Sequence, residues 1–187
     1  MGSRTRVPIH SSSFREYSGM NYSAFITDFL RVAHLPRISA QEPLPDQELI
    51  QQVTAAKEKE IAPASGPTAS CIRSLLFLAA GGMTQAHRIV QEMSTTDAAY
   101  IHGVIHRVDD DFDNARYWFR GARLHPAAAG MYRRAAASSS TMARCPGWDP
   151  ILVTDLFEKS RTSGVSEELR TLLTIEFEEL LRFLWSA

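Results

Sequence analysis

Apolar residues recur at every third or fourth position along most of the chain, which is the spacing of a helix with one buried face. Phe25, Ile26, Phe29 and Leu30 show this pattern near the start. No segment alternates between apolar and polar residues over the length of a strand. The pattern predicts helices over residues 22–32, 46–60, 68–80, 83–93, 97–108, 111–125, 149–163 and 166–185, and a helix followed by a loop over 127–140. We therefore expect an all-α fold, either an antiparallel helical bundle or stacked helical hairpins.

Residues that favour helix ends stand at the borders of these segments. Pro150 suits the first turn of a helix, and Gly81 and Gly164 suit the position just after one. The side chains predicted to cap helix N-termini are those of Asp46, Thr68, Asp97, Asp111 and Ser166.

Two helical hairpins in the middle of the chain are similar to each other. Gly82 to Ala86 and Asp111 to Ala115 occupy matching places between paired helices, and Gly103 suits close packing. This arrangement resembles the tetratricopeptide helix-turn-helix, although its spacing is shorter than the usual repeat of about 34 residues. We therefore expect the middle of the domain to be tetratricopeptide-like.

Composition narrows the class of protein. Residues 1–20 are rich in Ser and Arg and predict a flexible N-terminal arm, whereas residues 21–187 predict a single helical domain. A net charge of −1 gives no general attraction to nucleic acid or to an anionic membrane, and no apolar run is long enough to span one. With two cysteines, no CxxC pair and no visible signal peptide, a cytoplasmic location is expected.

Histidines are concentrated in the predicted helix over residues 97–108 and just before it. His102 and His106 are four positions apart and Asp109 follows three later, so the three side chains share one face of an ideal helix. His87, on the preceding helix, can meet that face across a hairpin. Two histidines and a carboxylate on one face are a candidate divalent-metal site. Acid–base catalysis and a purely structural role remain alternatives for the same residues.

Two carboxylates fall at positions that the periodicity marks as buried. Glu176 interrupts the apolar stripe of the last helix, and Asp155 lies in the stripe of the helix before it. A buried carboxylate is costly unless it is paired or protonated. We therefore expect histidines or arginines of the central hairpin as partners, with Glu176 largely buried, and we assign both acids to the candidate catalytic site. A slightly rotated helix that leaves the acid half-exposed is the alternative, and it applies to Asp155 more than to Glu176.

Aromatic and polar residues of the next helix are candidates for substrate binding. Tyr117 and Trp118 flank the core position Phe119, so at least one of them must point away from the core and can form a pocket wall. Arg107 and Asn114 are the candidate polar contacts to a substrate.

The segment from Tyr100 to Phe119 resembles a motif found in a family of small helical bacterial and fungal proteins to which no activity is assigned. The motif reads Tyr-Trp-His-x-x-x-His-Arg-Arg-Glu-x-Asp-x-x-Asn-x-x-Tyr-Trp-Phe and is followed by His-Pro, here His125 and Pro126. Weaker matching elements lie upstream around His87 and downstream at residues 148–150, 155 and 176, so the likeness runs from about residue 28 to the end.

Three residues depart from that motif: Ile101 stands in place of its tryptophan, Val108 in place of its second arginine and Asp109 in place of its glutamate. The resemblance implies a helical fold and a site around the histidines, and it implies no particular reaction.

The leading hypothesis is a small helical enzyme of the lyase, isomerase or cyclase type. It would act on a small organic molecule in a pocket formed by His87, His102 and His106, backed by Asp155 and Glu176. No redox or nucleotide cofactor motif is present, which leaves a divalent metal as the cofactor to consider. The alternative hypothesis is a tetratricopeptide-like protein-interaction module without catalysis.

Overall fold

The computed structural model describes residues 20–40 and 42–187, so residues 1–19 of the predicted arm lie outside the described residues. Within this part of the chain all regular structure is helical, which confirms the predicted all-α class. A short 3₁₀ turn, Met142–Arg144, precedes α9. The α-helices are α1 (Ala24–Val32), α2 (Gln47–Ala55), α3 (Glu58–Ile61), α4 (Pro67–Ala80), α5 (Met83–Val90), α6 (Thr96–Val108), α7 (Phe112–Ala122), α8 (Ala128–Ser138), α9 (Pro150–Ser163) and α10 (Glu167–Ser186).

Most of the predicted helix caps are confirmed. The side chains that accept a backbone N–H bond at their helix N-terminus as expected are those of Asp46, Asp111 and Ser166. Two predicted caps are wrong. Gly66 stands before α4 with Pro67 at the first helical position, so Thr68 already lies inside the helix. Thr95 caps α6, which places Asp97 in the first turn.

The helix predicted over residues 46–60 is divided into α2 and α3 at Ala56, whose backbone is extended. Arg73 of α4 donates to the carbonyl oxygens of Val53 and Ala56 at 2.5 and 2.7 Å. These bonds satisfy carbonyl groups that a helix end leaves without partners. A long-range contact of this kind has no signal in the local sequence.

Helix α4 is the centre of the core. It is buried on nearly all sides and packs against α2, α5, α6 and α10. Helices α6 and α7 form the tightest hairpin, because Gly103 has no side chain there: a Cβ would lie 2.7 Å from the ring of Phe119. Gly103 is thus a close-packing point as expected, while the tetratricopeptide likeness of the hairpins stays a prediction.

Among the described residues, every helix is too short or too polar to cross a membrane.

Candidate functional site

Three histidines meet where α5 packs against α6. The Nε2 atoms of His87 and His102 are 2.9 Å apart and share a hydrogen bond whose direction depends on the tautomers. His106, one turn after His102, stacks on it with ring centroids 4.8 Å apart. The ring of His87 stands edge-on to both. One nitrogen from each ring lies within 4.8 Å of the others, so the three side chains converge on one small volume. We call these residues the histidine cluster.

Burial and aromatic packing hold the cluster in place. His102 is only 4% exposed, and the indole of Trp118 from α7 stacks on its ring at a centroid distance of 3.9 Å. Burial, with His106 and His87 nearby, lowers the pKa of His102 from 6.5 to about 4. Burial also lowers the pKa of His106, against the opposing effect of Asp111. These two rings are therefore neutral at pH 7, which is the form that can bind a metal.

Two polar residues at the N-terminus of α7 support His106. The carboxylate of Asp111 lies 3.4 Å from its Nδ1. Asn114 places its amide nitrogen 3.3 and 3.2 Å from the two ring nitrogens and donates to Asp111 at 3.2 Å. A carboxylate behind an imidazole fixes the tautomer and makes the other nitrogen a better ligand. Asn114 therefore contacts His106, while its predicted role in substrate binding stays a prediction.

The expectation that Asp109 is a metal ligand on the same face is wrong. Helix α6 ends at Val108, so Asp109 is its exposed C-cap and lies outside the group of converging ligand atoms. Asp110 then adopts a left-handed φ of 62°, and the chain turns back so that the N–H of Asp111 donates to the carbonyl of His106. Asp111 is the carboxylate in contact with His106, whereas Asp109 acts on that ring only as a nearby charge.

Glu176 belongs to a second polar group, deep between α6 and α10. It is 2% exposed and pairs with the guanidinium of Arg107, which is 1% exposed. The hydroxyl of Tyr100 donates to Glu176 at 2.9 Å and accepts from the Trp148 indole at 2.8 Å. The predicted burial of Glu176 and its pairing with a guanidinium are confirmed. Burial beside Glu176 raises the pKa of Tyr100 well above 10.0, so its hydroxyl keeps the proton that it donates.

The histidine cluster and Glu176 do not form one pocket, and that expectation is wrong. At about 100° per residue, Tyr100 and Arg107 lie about 140–160° around α6 from His102. The two groups therefore occupy opposite sides of the helix. Arg107 serves the buried ion pair and does not face the histidines.

A small cavity of about 30 Å³ lies on the Arg107 side of α6. We call it the α6–α10 cavity. Among the described residues, the charged ones that line it are Arg37, Arg107 and Glu176. The remaining lining residues are apolar: Leu35, Pro36, Leu75, Leu78, Ala79, Val104, Val108, Leu173, Phe177 and Leu180.

Two further predicted site residues lie outside the histidine cluster: Asp155 is half-buried and Tyr117 is exposed. Asp155 is 40% exposed and pairs with Arg116, because α9 turns Val153 and Phe157 towards the core instead of the stripe that contains Asp155. Tyr117 is 64% exposed, since it lies opposite the buried face of α7. Neither side chain approaches the histidine cluster. Of the two aromatic residues predicted as a pocket wall, Trp118 is the one that contacts the histidine cluster.

Sequence reasoning missed three residues of these sites. Asp111 had a usable signal, because it aligns with the aspartate of the motif that the segment resembles. Tyr100 also stands at a motif position, yet nothing local showed that its hydroxyl bridges Trp148 and Glu176. Arg37 had no signal, since the burial of an arginine in a connecting segment depends on helices that pack over it.

The lowered pKa of His102 predicts a stability that depends on pH. Between pH 6.5 and about 4 the unfolded chain binds a proton at this residue and the folded chain does not. Metal-free protein should therefore lose on the order of 2–3 kcal/mol of unfolding free energy from this residue as the pH falls through that range. Urea unfolding at several pH values would measure the loss. His102→Gln should show a smaller pH dependence; equal slopes in both proteins would contradict the assignment.

Comparison of the chain with protein-family models, curated proteins and solved structures gives no match in any of the three.

Proposed function

We propose that the protein is a small metal-dependent enzyme of the non-redox kind. In this proposal His87, His102 and His106 bind one divalent metal ion, and a small organic substrate reaches the metal at a remaining coordination position. The observation that carries the proposal is the convergence of three imidazole nitrogens within 4.8 Å. Catalytic zinc sites commonly have three protein ligands and one open position, whereas structural sites are closed by four.

A tetrahedral ion would draw together the three ring nitrogens, which lie within 4.8 Å of one another. Zinc–nitrogen bonds of about 2.0–2.1 Å place neighbouring ligand nitrogens about 3.3 Å apart. The Nε2 atoms of His87 and His102 are at 2.9 Å, so an ion would replace their hydrogen bond with a slight widening. Imidazole ligands select zinc and its transition-metal neighbours over magnesium or calcium. Asp111 would act behind His106 as the carboxylate that orients a ligand histidine.

Access to the cluster favours an enzyme over a closed structural site. His102 is buried, but His87 is half-buried and the side chain of His106 is 13% exposed. A ligand can therefore approach from the side of these two residues. A metal with an open position polarises a carbonyl group or lowers the pKa of bound water to about 7. Either effect serves a lyase, isomerase or cyclase reaction without a redox cofactor.

Cobalt titration tests both parts of this proposal. Metal-free protein should bind one Co²⁺ per chain, with the visible absorption of low-coordinate Co²⁺, and Zn²⁺ should displace it. Added azide should then change the spectrum, because an open coordination position accepts an external ligand and a closed site does not. Absence of saturable binding would overturn the metal site. A spectrum that azide leaves unchanged would overturn the catalytic role.

A second candidate function, the protein-interaction module, is favoured by one surface feature. Tyr117 and Leu124, at α7 and just after it, are 64% and 94% exposed. Large apolar side chains in such positions are common at protein contacts, although single ones also occur on ordinary surfaces. The double variant Tyr117→Ser, Leu124→Ser should bind Co²⁺ as the unchanged protein does. That result would show that this surface and the histidine cluster are independent of each other.

A further inference from the structure

We propose that the α6–α10 cavity binds one monatomic anion of the chloride class between Arg37 and Arg107. The cavity lies on the side of α6 opposite the histidine cluster, so the proposal does not depend on a metal. Three features carry it: two buried N–H groups without acceptors, one positive charge in excess, and room for a single small ion.

Arg37 and Arg107 both line the cavity, and each has one N–H group without an acceptor. These are the Nε groups, which are buried and have no hydrogen-bond partner among the described residues. The other guanidinium nitrogens are fixed in position: those of Arg37 donate to the backbone carbonyls of Pro43 and Ala79, and those of Arg107 donate to Glu176. A buried donor without an acceptor is costly, so an acceptor bound in the cavity would stabilise the fold.

The charge of the lining favours an anion over a water molecule. Arg107 and Glu176 neutralise each other, whereas Arg37 is 6% exposed and, among the described residues, donates to neutral carbonyl groups. A guanidinium stays protonated even where burial lowers its pKa, as it does for Arg37. One positive charge is therefore in excess, and a buried charge is costly unless it is paired. Water would accept both N–H groups without balancing that charge, whereas chloride would do both.

The size of the cavity limits the anion to a single atom. Its volume of about 30 Å³ exceeds the roughly 10–15 Å³ that one water molecule requires. Chloride is only slightly larger than water. Phosphate, sulfate or a carboxylate with a carbon chain would have to displace apolar walls such as Leu75, Val104 and Phe177. The half-buried residues Leu35 and Pro36 also line the cavity, and an ion can enter on their side.

Crystals of the full chain grown with sodium bromide test the site, in protein kept metal-free with chelator so that no halide binds through a metal. Bromide substitutes for chloride and is located by its anomalous scattering. One bromide ion should lie in the α6–α10 cavity, within hydrogen-bond distance of the Nε atoms of Arg37 and Arg107. Density without an anomalous signal, as from a water molecule, or no density at all would overturn the proposal.

Thermal unfolding of the same metal-free protein distinguishes a stabilising anion from an adventitious one. When chloride replaces gluconate at constant ionic strength, the unfolding temperature should rise with saturation. The rise should be about 3–6 °C once chloride is in tenfold excess over its dissociation constant.

Variants locate the effect. Arg37→Met should remove the chloride-dependent rise, whereas the control Arg31→Met, at an exposed pair on α1, should keep it. Val104→Leu should also remove the rise, because one more methylene group fills the cavity, and it keeps the test available if Arg37→Met fails to fold. A rise that is absent from the unchanged protein, or that persists in Val104→Leu or in folded Arg37→Met, would overturn the proposal.

Discussion

Replacing Glu176 with Leu is expected to lower the free energy of unfolding by about 3–5 kcal/mol, because the change leaves the guanidinium of Arg107 buried without a counter-charge. The hydroxyl of Tyr100 loses its acceptor in the same step. Urea unfolding at pH 7 would measure the loss. The effect is large for a single substitution, since most change stability by much less.

Two further variants show whether the loss comes from the broken pair. Arg107→Met combined with Glu176→Leu should recover much of the stability, because apolar replacement of both partners removes the uncompensated charge. Glu158→Gln is the matched control: this carboxylate also pairs with an arginine, Arg116, but is 45% exposed. Its loss should stay below about 1 kcal/mol. If Glu176→Leu lowers the free energy of unfolding no more than Glu158→Gln does, the Arg107–Glu176 pair contributes no more stability than an exposed pair.

Replacing His102 or His106 with Ala is expected to weaken Zn²⁺ binding by more than about 100-fold, because each change removes one of three ligands of the proposed metal centre. Loss of a residue that only orients a ligand costs about 10–100-fold, which is the effect expected for Asp111→Asn. The thermal unfolding temperature with and without Zn²⁺ measures these differences, since a metal that binds only the folded state raises it.

His34→Ala is the control for these histidine variants, because His34 is exposed on the chain after α1 and lies outside the histidine cluster. It should keep the full Zn²⁺-dependent rise in unfolding temperature. A rise that survives in folded His102→Ala and His106→Ala would show that zinc binds elsewhere.

Helix positions and the pairing of His102 with His106 were accessible from sequence because both depend on local spacing. Four residues make just over one helical turn, and that relation holds wherever the helix continues. It failed for Asp109 because the helix ends one residue earlier and the left-handed Asp110 reverses the chain. Spacing therefore places residues on one face only where a single helix continues through all of them.

The side on which a residue is buried was harder to predict, because it depends on what packs against the helix. Glu176 was correctly placed, since the apolar stripe around it is long. For Asp155 the sequence left burial and half-exposure open, because α9 has two apolar stripes and its sequence does not indicate which one faces the core. The side chain is half-exposed and pairs with an arginine of the central hairpin, Arg116. Helical spacing places Arg107 across α6 from the histidines. It does not show which carboxylate pairs with Arg107 there. Arg37 required the packed structure.

The short distance along the chain between the members of the histidine cluster has a consequence for folding during synthesis. His87 and His102 are 15 residues apart, whereas Arg107 and Glu176 are 69 apart. Contacts between near neighbours cost less loop entropy and form faster. We therefore expect the α5–α7 segment to assemble as it leaves the ribosome, before α10 has emerged. A metal ion captured at that stage would stabilise a partly synthesised chain, and the buried ion pair would close only after α10 has been made.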